Sequence, residues 1–96
     1  MGVGHHKNMF TWLNKQGVKS SEGFEVQFTG RFTAEYREGA LVVIVDVEGN
    51  GSLISFNRKA FERWSNSSAP FGAAAQERMI KNFIAALEFQ GLVGVS

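Results

Sequence analysis

The stretch FEVQFTGRFTAEYREGALVVIVDV, Phe24–Val47, decides how this chain is read. Phe24, Val26 and Phe28 alternate with Glu25 and Gln27; Phe32, Ala34 and Tyr36 alternate with Arg31, Thr33, Glu35 and Arg37. A period of two marks strands with one buried face. Leu41–Val47 is apolar on both sides, as suits a strand flanked by neighbours. The turns between these runs test the register. A two-residue loop at Glu38-Gly39 sets Tyr36 opposite Leu41, Ala34 opposite Val43 and Phe32 opposite Val45, all on one face. A loop at Asn50-Gly51 adds Leu53–Phe56 with Val47 opposite Ile54; a loop at Gly49-Asn50 keeps the same faces. A three-residue loop at Thr29–Arg31 places Phe28 opposite Phe32, Val26 opposite Ala34 and Glu25 opposite Glu35. A slip of one residue would expose every one of these apolar side chains, so their agreement supports a four-stranded antiparallel meander.

Working outward, Met9, Trp12 and Leu13 fall at helical spacing, which predicts a short helix over residues 8–16 with Gly17 as its stop, followed by a polar loop over Gly17–Gly23. Residues 57–65 read as a short helix or irregular crossover, with Asn57 as a candidate N-cap. Residues 66–72 form a loop holding the only proline. Residues 73–90 carry the strongest helical pattern: Met79, Ile80, Phe83, Ile84 and Leu87 share one stripe, and Gly91 is a natural terminator. Leu92–Val95 is a candidate last strand. The expected fold is a single α+β domain over residues 1–96: a four- to five-stranded antiparallel sheet, one face packed on a long C-terminal helix, plus a short N-terminal helix. The opposite face is mixed, with Val42, Ile44 and Leu53 among Glu25, Gln27, Thr33, Glu35, Arg37, Asp46 and Ser55. Either the N-terminal helix or a partner protein covers its apolar part.

Composition narrows the chemistry. The 96 residues include no cysteine, so thiolate metal sites, disulfides and cysteine nucleophiles are excluded. No apolar run approaches the roughly 18 residues of a membrane span. These features suit a cytoplasmic protein with no cofactor. The net charge of +1 conceals a pattern: residues 1–21 carry +3, residues 22–48 carry six acids against Arg31 and Arg37 for −4, and residues 49–96 carry +2. The only histidines, His5 and His6, have no nearby carboxylate and make a poor metal site. Serines fall in turn-like clusters, away from any base. Glu25 and Glu35 are the one candidate carboxylate pair, and Arg31 and Arg37 beside them favour a solvated charge ladder over a catalytic dyad. Arg58, Lys59, Arg63 and Trp64 mix cations with an aromatic ring. They suggest either a crossover anchored in the core or a small nucleic-acid-binding or regulatory module. No catalytic residue emerges.

Tyr36-Arg-Glu-Gly39, Val43–Val47 with Asp46 and Glu48, Ser52-Leu-Ile-Ser-Phe56, Arg63-Trp64, and the run from Gln76 to Gly91 together resemble small bacterial immunity proteins of polymorphic-toxin and contact-dependent growth-inhibition systems. The resemblance spans residues 24–95. It implies a non-enzymatic inhibitor that binds a cognate toxin domain, often a nuclease, and blocks its active site. It assigns no binding residue. The charge block does: Glu25, Glu35, Glu38, Asp46 and Glu48 are the expected partner-binding acids, with Val42 and Ile44 as apolar anchors. Free edge strands would also allow a homodimer.

Overall fold

The structure, a computed structural model, describes residues 9–96. Seven strands lie side by side in chain order: β1 (Phe10–Asn14), β2 (Gly17–Ser20), β3 (Phe24–Gly30), β4 (Thr33–Glu38), β5 (Leu41–Asn50), β6 (Leu53–Phe56) and β7 (Val93–Val95). A 3-10 helix at Arg58–Glu62 and the helix α1 (Ala73–Phe89) separate β6 from β7. Neighbouring strands are antiparallel except β6 and β7, which run parallel because the chain returns through α1. The α+β class and the C-terminal helix are as expected, and the sheet has seven strands rather than four or five.

The N-terminal helix is not formed. Residues 10–20 make a hairpin instead, in which Thr11 pairs with Lys19 and Trp12 with Val18. Phe10, Thr11 and Trp12 are β-formers, and Asn14 accepts a 2.8 Å bond from the Gln16 backbone N–H, a local turn that competes with helix. Phe10 and Trp12 lean on Phe89 of α1, with ring centroids 5.3 and 5.6 Å apart. Strand pairing together with this aromatic contact outweighs a weak helical spacing. Val18, in a segment that reads as polar loop, is completely buried. His5 and His6 lie outside the described residues.

Face parity in the meander is as expected, but every pairing is shifted by two. Tyr36 pairs with Val43 and Ala34 with Val45, while Val47 pairs with Phe56. The loops are Gly39-Ala40 and Gly51-Ser52, each one residue later than expected. Gly39 and Gly51 have φ of +62° and +65°, and among the described residues only glycines have positive φ. A type II′ hairpin turn needs positive φ at its first central residue only, so glycine takes that place. At the first hairpin a bulge lies between Phe28 and Gly30, and Val26 meets Tyr36 rather than Ala34. Phe32 therefore sits at a turn, 58% exposed, and is not a core residue.

β5 changes partner along its length. Leu41–Asp46 pairs with β4 and Val47–Asn50 with β6, which curls the sheet around α1. Ser65 and Asn66 close the stretch of β5 that β6 leaves open. The Val42 N–H donates to Asn66 Oδ1 (3.0 Å), the Asn66 side-chain amide donates to the Ala40 carbonyl (2.7 Å), and the Ile44 N–H donates to Ser65 Oγ (2.9 Å). These turn-type side chains act as a substitute strand.

The enclosed face carries the core. Met79, Ile80, Phe83, Ala86 and Leu87 of α1 are buried against Val18, Phe24, Val26, Ala34, Tyr36, Val43, Val45 and Phe56. Phe83 meets Phe56 edge-on at 4.9 Å, and fully buried Phe61 of the 3-10 helix joins them. Asn57 caps that helix by accepting from the Lys59 N–H, as expected. α1 ends at Gly91, with the Leu92 N–H bonding back to the Leu87 carbonyl. β7 then packs flat on α1 at Gly94, where an added Cβ would lie 2.8 Å from Leu87 Cδ1. Among the described residues no helix is long and apolar enough to cross a membrane.

Candidate functional site

The outer face of the sheet follows from the pairings. One row runs Lys19, Glu25, Arg37, Val42; the next runs Gln27, Glu35, Ile44; a third pairs Thr33 with Asp46. Glu48, opposite Ser55, continues the β5 column of Val42, Ile44 and Asp46. Because β1 lies in the plane of the sheet, it does not cover this column. Ile44 is 49% exposed.

The expected acids divide into three groups. Glu25 and Glu35 do not face each other, since Glu25 pairs with Arg37 and Glu35 with Ile44. The Arg37 guanidinium lies between them, 3.7 Å from Glu25 and 2.6 Å from Glu35, so their charges are largely met within the sheet. The direct carboxylate dyad is thus replaced by an alternating charge row, the result of the two-residue shift in register. Glu38 stands apart on the enclosed side, where it accepts bonds from the Tyr36 hydroxyl (2.5 Å) and from Arg78 of α1 (2.7 Å). Asn82 donates to the same hydroxyl at 3.0 Å. Burial, reinforced by the Glu38 carboxylate, pushes the Tyr36 phenol well above its ordinary range. The bond to Glu38 likewise holds Arg78 in its charged form. This network ties β4 to α1.

Asp46 and Glu48 form the third group. Both are exposed, and neither makes an ion pair with a described residue. They border an open cleft of about 850 Å³ whose wall also holds Ser55, Asn57, Lys59 and Glu62, with Val47 and Phe56 exposing part of its apolar floor. Sequence reasoning missed this cleft. Its only signal was the proximity of Asp46 and Glu48 to the turn-rich segment at residues 49–59.

The basic-aromatic segment does not offer Trp64 as a stacking surface. Trp64 is 7% exposed and packs edge-on against Phe71 at 5.1 Å, so its face is not open to a base. Arg58 is paired with Glu77 of α1. Lys59 and Arg63 are the cations of the segment without a salt bridge to a described residue. Among the described residues no group of three or more His, Asp or Glu side chains converges as a metal site.

Comparison with known protein families, curated proteins and solved structures finds no match to this chain.

Proposed function

We propose that this protein is a non-enzymatic immunity protein that acts in the cytoplasm by binding a cognate bacterial toxin domain and covering its active site. The contact is the β5 column, with Val42 and Ile44 as apolar anchors and Asp46 and Glu48 as the charges presented to the partner. One observation carries the reading: a half-exposed isoleucine on the open face of a central strand, beside two exposed carboxylates that form no ion pair with a described residue. Solvated charges on a sheet are ordinarily laddered with opposite charges, as Glu25, Arg37 and Glu35 are here. Exposed anions outside any ion pair, beside exposed apolar surface, suit a cationic protein surface, and the toxin in view is a nuclease, whose active site attracts phosphate. Glu25 and Glu35 form a rim that contributes less, because Arg37 already engages them.

The test is protection. The reading expects the open reading frame directly upstream to encode a toxin domain, and cells producing that domain should survive with the wild-type protein. They should die with an Asp46→Lys, Glu48→Lys variant that remains folded by circular dichroism. Protection by that double variant at wild-type expression would overturn the assignment of the face. Salt-sensitive binding of DNA or RNA by the purified chain would replace the reading with the nucleic-acid module.

A further inference from the structure

Among the described residues β1 is an edge strand, and its chemistry is unusual. Edges are ordinarily guarded by charge, proline or short length, and β1 reads Phe-Thr-Trp-Leu-Asn with no charge at all. Its hydrogen bonds fix which groups are free. Ser21 N–H donates to the Met9 carbonyl, and Thr11 stands opposite Lys19 in the same register. In an antiparallel ladder alternate residues bond to alternate sides. Met9 and Thr11 therefore bond inward to β2, and the backbone N–H and C=O groups of Phe10 and Trp12 point to the open edge. The side chains of these two residues lie on the enclosed face beside Phe89, and Trp12 and Phe89 remain 53% and 43% exposed. Leu13, at the irregularity that follows Trp12, adds a further 43% exposed apolar side chain to the strand.

We propose that β1 is the site at which a second copy of this chain adds to the sheet. The pairing is antiparallel about a two-fold axis at Thr11, with Phe10 of each copy opposite Trp12 of the other. The free groups are placed symmetrically about Thr11, so one operation satisfies them on both strands. The irregularity after Trp12 ends the regular ladder and limits the pairing to this segment. The absence of charge on β1 removes like-charge repulsion across the two-fold. Both aromatic shelves then fall on one side of a continuous sheet. The β5 column stays free, because β2, β3 and β4 lie between.

Area sets the strength. A large aromatic side chain offers about 200 Å², so Trp12 and Phe89 each leave roughly 100 Å² to cover. With Met9 and Leu13, the two copies together cover roughly 800 Å² of apolar side chain, below the ~1,200 Å² of a standard interface. The dimer is accordingly weak and concentration-dependent. β7, the other edge, spans only three residues and is the control.

Sedimentation equilibrium of the full chain tests this. The mass should rise from 10.6 kDa toward about twice that value with concentration. Trp12→Pro removes an outward-facing N–H from the backbone ladder and also the ring that rests on Phe89, so it takes away the edge pairing and part of the apolar shelf together. It should shift the half-dimer concentration upward by roughly tenfold or more. Leu13→Lys, on an exposed side chain, should do the same and serves if the proline variant fails to fold. Val95→Pro on β7 should leave association unchanged. A wild-type chain that stays monomeric to millimolar concentration would overturn the proposal. So would association that survives Leu13→Lys in a folded protein or is abolished by Val95→Pro.

Discussion

Replacing Tyr36 by phenylalanine isolates the polar tie between sheet and helix. The ring of Tyr36 is fully buried, stacks on Phe24 at 5.5 Å and meets Phe61 edge-on at 5.7 Å, and phenylalanine keeps those contacts. What is lost is a hydroxyl that donates to the Glu38 carboxylate and accepts from Asn82. A hydrogen bond to a charged group contributes about 1.5–3 kcal/mol and a neutral one about 1 kcal/mol. Glu38 retains Arg78, which lowers the loss, so Tyr36→Phe should destabilise the protein by about 2 kcal/mol. For a chain of this size that is a fall in Tm of roughly 8–16 °C. The pH dependence carries the sharper test. The folded phenol is raised above its unfolded value near 10. Its contribution is therefore complete below pH 10 and is lost as pH climbs from there toward the folded value. The gap between wild type and variant should narrow above pH 10 by about 1.4 kcal/mol per pH unit. Urea unfolding at a series of pH values measures the gap. The chain holds one tyrosine, so phenolate absorbance reads Tyr36 alone. A gap below about 0.5 kcal/mol, within the range of a neutral surface substitution, or one that stays constant above pH 10, would refute the reasoning. So would a tyrosine that ionises near pH 10 while the circular dichroism remains native.

Two further outcomes follow from the same geometry. Phe32→Ala, at an exposed turn, should cost no more than about 0.5 kcal/mol, whereas Phe83→Ala in the core should cost about 3–5 kcal/mol; denaturant midpoints separate them. Asn66→Ala should cost about 1 kcal/mol and should speed hydrogen exchange at the Val42 amide selectively, leaving Val43, on the β4 side, governed by global unfolding.

The parts of this fold visible in the sequence are those set by side-chain period. The face assignments of Val26, Ala34, Tyr36, Val43, Val45 and Phe56 depend on parity, which a two-residue shift preserves. Register itself was not legible, because it depended on which loop position each glycine fills. Gly39 and Gly51 take the first position, where positive φ is required. The bulge between Phe28 and Gly30 shifted β3 against β4, which moved Glu25 away from Glu35 and left Phe32 at an exposed turn. The β1–β2 hairpin was hidden for another reason. Its apolar residues are few, and Val18 stands alone in a polar run, so the strand character arises from pairing with β3 and from Phe89, distant in sequence. At the candidate site, Val42, Ile44, Asp46 and Glu48 were legible as one alternating column. The tie of Glu38 to α1 was not legible, because it depends on parity with Tyr36 and on the reach of Arg78, distant in sequence. The role of Ser65 and Asn66 as a substitute strand leaves no periodic trace.

The β5 column as a protein-binding face is the point on which the proposed function stands or falls. The direct measurement is titration calorimetry of this chain against the product of the open reading frame directly upstream, which the proposal expects to be a toxin domain, comparing wild type with Ile44→Lys and with Glu22→Lys, Glu88→Lys as a charge control away from the column. The account predicts a one-to-one complex, weakened at least roughly a hundredfold by Ile44→Lys, as expected for a central anchor, and little changed by the control. Equal affinity for wild type and a folded Ile44→Lys variant would contradict it, as would no complex with the upstream domain.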